Sequence, residues 1–146
     1  MRLSIRDYCM FIEAWLFLSI AKLMILFFPF KKIAGRIGMP QIETDFENQI
    51  HNTVTEVQIS ILRGVKFVFF SSKCYDQALA STFMLKRRRV PSTIYFGLNK
   101  VGDQLSAHAW VRCGRVIVTG KKGYEKYTPV AWFGTQTKSK VMEIAS

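Results

Sequence analysis

Acidic residues are scarce in this chain. Of 146 residues only 10 are Asp or Glu, against 21 Lys or Arg, which leaves a formal net charge of +11 and a pI near 9.9. That balance favours an anionic partner: nucleic acid, an acidic peptide or an anionic membrane surface. The motifs that would single out nucleic acid are missing. There is no RRM-type aromatic motif, no zinc finger and no glycine-rich phosphate loop, so nucleic acid is not expected as a partner. Cysteine is sparse as well. Cys9, Cys74 and Cys113 are odd in number and form no CxxC pair, which argues against a disulfide framework and fits a reducing cytosol. A metal site built from Cys74, His108 and Cys113 would lack a fourth ligand and the usual spacing, so neither metal nor cofactor is expected. The only other histidine, His51, lies in a polar stretch and reads as solvated.

What is abundant is apolar. Hydrophobic residues make up 49% and Phe alone contributes 12, which excludes a disordered chain and exceeds what an ordinary core needs. Much of it sits at the start. Ser4 to Asp7 has capping-box spacing and precedes an apolar run from Tyr8 to Phe30, interrupted by Glu13, Ser19 and Lys22. The run is too long for a cleaved signal peptide and no small-residue cleavage site follows. At about 100° per residue Glu13 and Lys22 fall on opposite faces, and a lysine near the centre of a bilayer span costs roughly 2.5–3.5 kcal/mol. The helix is therefore expected to pack on the domain or on a partner protein, with membrane attachment as the alternative. Pro29, Gly35, Gly38 and Pro40 read as a loop that closes a segment of residues 1–40.

A second capping box, Thr44 to Glu47, opens a helix with Ile50, Val54, Val57 and Ile61 along one stripe and Gly64 as its close. A third helix starts at Cys74, after Ser71 and Ser72, which can cap its N-terminus. Ala78, Leu79, Phe83 and Met84 continue it, and Lys86 to Arg89 ahead of Val90-Pro91 complement its C-terminal dipole. That basic cluster is either a solvated helix end or a docking patch for an acidic peptide or anionic lipid. Beyond Ser92 the period becomes two. A strand carrying Ile94, Phe96 and Leu98, a loop at Asn99 to Asp103, and a strand from Gln104 to Arg112 form a hairpin. Arg115 to Thr119 and Tyr127 to Phe133 add two more strands, and residues 135–146 form a polar tail. Helices followed by an antiparallel sheet predict an α+β fold with its core in residues 41–134.

Two residues in this order carry chemistry. Cys74 in the first turn of a helix lies where the macrodipole and free backbone N–H groups favour a thiolate, although free cysteines are more often small buried hydrophobes than nucleophiles. His108 projects from the face of its strand opposite Leu105, Ala107, Ala109 and Val111, together with Ser106, Trp110 and Arg112. A cysteine nucleophile needs a base and a third group to orient that base.

The runs KCYDQALASTFMLKRRRVPSTIYFGL, AHAWVRCGRVIVTG and YTPVAWFG resemble the transglutaminase-like cysteine peptidase of lasso-peptide biosynthesis, the maturation B family, in its split form without a leader-recognition domain. The resemblance spans about Ile50 to Phe133, and an apolar, arginine-flanked N-terminal helix is also typical. It implies a papain-like or transglutaminase-like core that removes the leader from a ribosomally made precursor peptide in the bacterial cytoplasm. The freed amine would then be closed into a macrolactam by a separate ATP-using lasso cyclase. A separate leader-recognition protein would deliver the precursor, and the apolar helix would meet a membrane surface or a membrane transporter. Cys74 would be the nucleophile and His108 the base, with Trp110, Tyr95 and Ser72 at the substrate. Transglutaminase-like acyl transfer and a non-catalytic, membrane-associated adaptor are the other readings.

The family's aspartate, about a dozen residues after the histidine, is absent: no Asp follows Asp103. If Cys113-Gly114 is the turn, His108 pairs with Thr119, and a threonine hydroxyl or a carbonyl faces the imidazole. Thr119 is accordingly expected to assist a Cys74–His108 dyad, or else to be an ordinary strand residue. The Cys74 backbone N–H is the simplest oxyanion donor.

Overall fold

The computed structural model describes residues 2–44 and 51–135. It is α+β, with four α-helices on one face of a five-stranded antiparallel sheet. The helices are α1 (Ile5–Phe27), α2 (Phe30–Ile37), α3 (His51–Val65) and α4 (Cys74–Arg87). The strands are β1 (Met39–Pro40), β2 (Ser92–Val101), β3 (Gln104–Cys113), β4 (Val116–Thr119) and β5 (Thr128–Thr135), in spatial order β1-β5-β2-β3-β4.

The capping box at α1 forms as its spacing predicts: the Ser4 N–H donates to Asp7 Oδ2 at 2.9 Å, and the Asp7 N–H to Ser4 Oγ at 3.2 Å. One stripe of α1, Met10, Ala14, Leu18 and Ala21, is buried against α3 and α4 and belongs to the same core as the sheet. Fully burying a side chain such as Leu18 contributes roughly 1.5–3 kcal/mol. The two charges that interrupt the helix are both used. Glu13 accepts hydrogen bonds from both terminal guanidinium nitrogens of Arg88, at 2.6 and 2.5 Å, and pairs with Arg87 at 2.9 Å. Lys22 lies 3.7 Å from the buried carboxylate of Asp76 and 5.7 Å from the centre of the Phe70 ring. The Arg87–Arg88 end of α4 is thus a clasp onto α1, whereas Lys86 donates to the Arg36 carbonyl and Arg89 stays exposed.

Residues 30–37, expected as loop, form α2. Pro29 occupies the cap position, where its missing N–H costs nothing, and Ile33 and Ile37, one turn apart, bury a face that offsets Gly35. In α3, Val54, Val57 and Ile61 form the predicted core stripe; Asp45 to Ile50 lie outside the described residues, as does the tail from residue 136. Gly64 does not close α3, which runs on to Val65. A Cβ there would meet Leu18 Cδ1 at 3.0 Å and Ala14 Cβ at 3.5 Å, so the glycine lets α3 and α1 approach closely.

The β2–β3 hairpin is tighter than predicted. Val101 pairs with Gln104, leaving only Gly102 and Asp103 in the turn, with Gly102 at φ +63°. At the next hairpin Cys113 pairs with Val116, so the turn is Gly114-Arg115 rather than Cys113-Gly114. A bulge then shifts the register, and Thr119 comes opposite Val111.

Candidate active site

Cys74 is the first residue of α4, and the two serines do not cap it. Lys73 stands at the N-cap, and its backbone N–H is taken by Asp76 Oδ2 at 2.8 Å, so the carboxylate reaches back to fix the helix start. The thiol is half-buried against the helix-side core, and the first-turn N–H groups of α4 have no acceptor within the helix. The neighbours of Cys74 in sequence carry two buried hydroxyls, Ser72 Oγ and Tyr75 OH, with no hydrogen-bond partner among the described residues. Burial, and secondarily the neighbouring Asp76 charge, pushes the Tyr75 phenol up to about 12.

His108 sits on the other side of the sheet. Ala109, Val111 and Cys113 join the core under α4, and alternation turns His108, Trp110 and Arg112 to the opposite face. There the imidazole stacks on Tyr127, with centroids 4.9 Å apart, and on Trp110 at 5.9 Å. Its Nε2 lies 2.7 Å from the carbonyl of Gly120. A carbonyl only accepts, so Nε2 carries the proton and the neutral ring keeps its lone pair on Nδ1, the atom a base would use. β4 stops opposite Val111, and beyond it the chain passes the half-exposed ring through Gly120, which packs against the Ala109 carbonyl.

The expected orienter is corrected. Thr119 Oγ1 faces α4, 3.4 Å from Ser81 Oγ, because the shifted turn and the bulge turn its side chain to the helix side. The Gly120 carbonyl takes the orienting place. Gly120 is left-handed at φ +75°, and a Cβ on it would lie 2.4 Å from the Ala109 carbonyl oxygen and 2.8 Å from Trp110 Cβ. A glycine twelve residues after the histidine was the only sequence signal for it.

Trp110 and Tyr95 do not line a groove. Trp110 is 4% exposed, stacked on Tyr95 at 5.4 Å and covered by Tyr124 at 5.8 Å, and it rests on Gly97, where a Cβ would meet the indole at 2.8 Å. The Tyr95 hydroxyl donates to Glu43 at 2.6 Å and accepts from Arg112 Nε at 3.0 Å. Burial is the main cause that raises this phenol, and the Glu43 bond adds to it. Arg112 is a buried strut, donating also to the carbonyls of Gly114 and Thr44. These aromatics back and hold the imidazole. No hydrogen bond joins Cys74 to His108 among the described residues, and no group of three or more His, Cys, Asp or Glu there could hold a metal ion. Cys113 is buried, its S–H donates to the Pro91 carbonyl at 3.3 Å, and burial pushes its thiol up to about 11.

A family model described as the transglutaminase-like superfamily matches residues 24–131, a span that includes Cys74, His108 and Gly120. No curated protein and no solved structure matches the chain.

Proposed function

Because the chain belongs to the transglutaminase-like superfamily, we propose that it is a cysteine peptidase acting through an acyl-enzyme at Cys74, and that its substrate is the leader-bearing precursor of a lasso peptide. The observation that carries the reading is the thiol at the first residue of α4, inside the matched span. The Cys74 sulfur attacks the carbonyl carbon of the bond between leader and core. Nδ1 of His108 takes the thiol proton and returns it to the departing amine of the core. Water then attacks the thioester, freeing the leader and the thiol. The core amine so released is the nucleophile a separate lasso cyclase requires. A small leader-recognition protein delivers the precursor, and Ser72, beside the thiol, meets the peptide. The thiol and the imidazole stand on opposite faces of the sheet, so the reading requires the substrate-bound state to bring them together by a rearrangement around β3 larger than the tightening of one hydrogen bond.

The separation of Cys74 from His108 favours a second reading, a non-catalytic adaptor in the same maturation machinery. Mass spectrometry of a precursor peptide mixed with its leader-binding partner and the wild-type, Cys74→Ala or His108→Ala chain decides. The peptidase reading expects leader release by the wild type alone, and release that survives Cys74→Ala refutes it. No release by any of them leaves the adaptor. A product heavier by an added amine marks acyl transfer to that amine in place of hydrolysis.

A further inference from the structure

The face of α1 opposite its buried stripe has no partner among the described residues. Ile5, Tyr8, Ile12, Leu16, Ile20, Leu23 and Phe27 recur every three to four residues along it, and each is 44–84% exposed. No charged residue interrupts that line; a groove of about 480 Å³ beside it adds the side of Phe17 and is bounded by the paired charges of Glu13 and Arg87. At its C-terminal end the line runs into Phe28 and Phe30, both exposed, and then into the exposed cations Lys31, Lys32 and Arg36 of α2; Arg2 is exposed at the other end. The helix is the one among the described residues long and apolar enough to cross a bilayer, yet its other face is fastened to the domain by Leu18, Ala14, the Glu13–Arg88 pair and the Lys22–Asp76 pair.

We propose that α1 lies flat in the surface of an anionic phospholipid bilayer, its apolar line in the acyl boundary and its terminal cations among the head groups, while staying docked on α3 and α4. A continuous uncharged stripe rimmed by cations is the pattern of an in-plane helix. Spanning would require tearing Glu13 and Lys22 from their partners and placing them in hydrocarbon. A second copy is disfavoured by charge: both ends of the stripe carry cations, so parallel or antiparallel pairing sets like charges against each other across two chains of net +11 each. The layers then run membrane, α1, α3 with α4, sheet, which turns the His108 face away from the lipid.

Vesicle flotation of the full chain tests this. Wild type should float with phosphatidylcholine vesicles containing phosphatidylglycerol, float weakly with phosphatidylcholine alone, and detach in high salt or alkaline carbonate. Leu16→Glu with Ile20→Glu, at exposed positions, should abolish flotation and leave the circular dichroism melt unchanged. Lys31→Ala with Lys32→Ala should weaken binding to the anionic vesicles by on the order of twentyfold, about fivefold per cation, and leave the neutral ones unaffected. Four results overturn the proposal: no flotation with anionic vesicles, retention through carbonate that marks a spanning helix, full binding by Leu16→Glu/Ile20→Glu, or dimerisation in place of vesicle binding.

Discussion

Replacing Gly120 by alanine strikes the contact that orients the candidate base. Two costs add. An L-residue held at φ +75° loses roughly 1–2 kcal/mol. The new Cβ also meets the Ala109 carbonyl oxygen at 2.4 Å and Trp110 Cβ at 2.8 Å, where ordinary contact begins near 3.4 Å. The obstacle is backbone of β3, which cannot rotate away, so the segment after β4 must shift, and forced repacking of this kind costs typically 1–3 kcal/mol. The total, about 2–5 kcal/mol, corresponds to a fall in Tm of roughly 5–20 °C for a domain of this size. Gly123 supplies the control, since its φ of +77° is equivalent but nothing lies within 4 Å of its Cβ position. Gly123→Ala should lose only the conformational share, roughly 1–2 kcal/mol. Calorimetry of both variants separates the clash from the dihedral. In parallel, ¹⁵N NMR of the ring should show the His108 proton on Nε2 in the wild type and a mixed tautomer in Gly120→Ala. Equal melting of the two variants, or an unchanged tautomer, would refute the close packing of Gly120 and its hold on the imidazole.

The clasp between α1 and α4 makes stability acid-sensitive. Burial acts to raise the Glu13 carboxyl, but Arg88 and Arg87 outweigh it, and its pKa lies below the ordinary 4.5. A carboxyl lowered on folding stabilises above its unfolded pKa, and that contribution is lost as pH falls through the folded value. Glu13→Gln should therefore cost about 1–2 kcal/mol near neutral pH, the pair being partly exposed, and the gap from wild type should close as pH falls below the ordinary carboxyl value of 4.5; parallel melting curves across that range would count against the clasp. In native protein at about pH 8, iodoacetamide should label exposed Cys9 and spare Cys113, whose buried thiol is pushed up to about 11, until denaturant is added. Labelling of Cys113 at the rate of Cys9 would sink that assignment.

Local rules carried the fold a long way. Ser4 and Asp7 announce α1, the Val54–Val57–Ile61 stripe announces the face of α3, and strict alternation from Gln104 tells which side of β3 His108 takes. What they missed depended on a neighbour far along the chain. Pro29 and Gly35 read as punctuation because the partners that make Ile33 and Ile37 worth burying are not nearby in sequence. Gly64 looks like a helix stop until Leu18 of α1 is laid against it. The Glu13–Arg88 pair spans 75 residues, so two charges inside an apolar run looked expensive when each had an answering charge. The site suffered most from one residue of register. Placing the turn at Cys113-Gly114 instead of Gly114-Arg115 sent Thr119 to the wrong strand position, and the bulge that follows turns it to the helix side. The backbone carbonyl that does orient His108 has no side chain to betray it.

The approach to Cys74 has a dynamic consequence. Residues 66–73, between α3 and α4, form no helix or strand and are exposed or half-buried throughout. Few buried contacts hold that stretch, so its local opening is cheaper than opening of the paired strands, and its amides should exchange with deuterium well before those of β2 and β3. The thiol of Cys74 thus borders the part of the domain that yields first, and an incoming peptide can displace that stretch without unfolding the sheet beneath it.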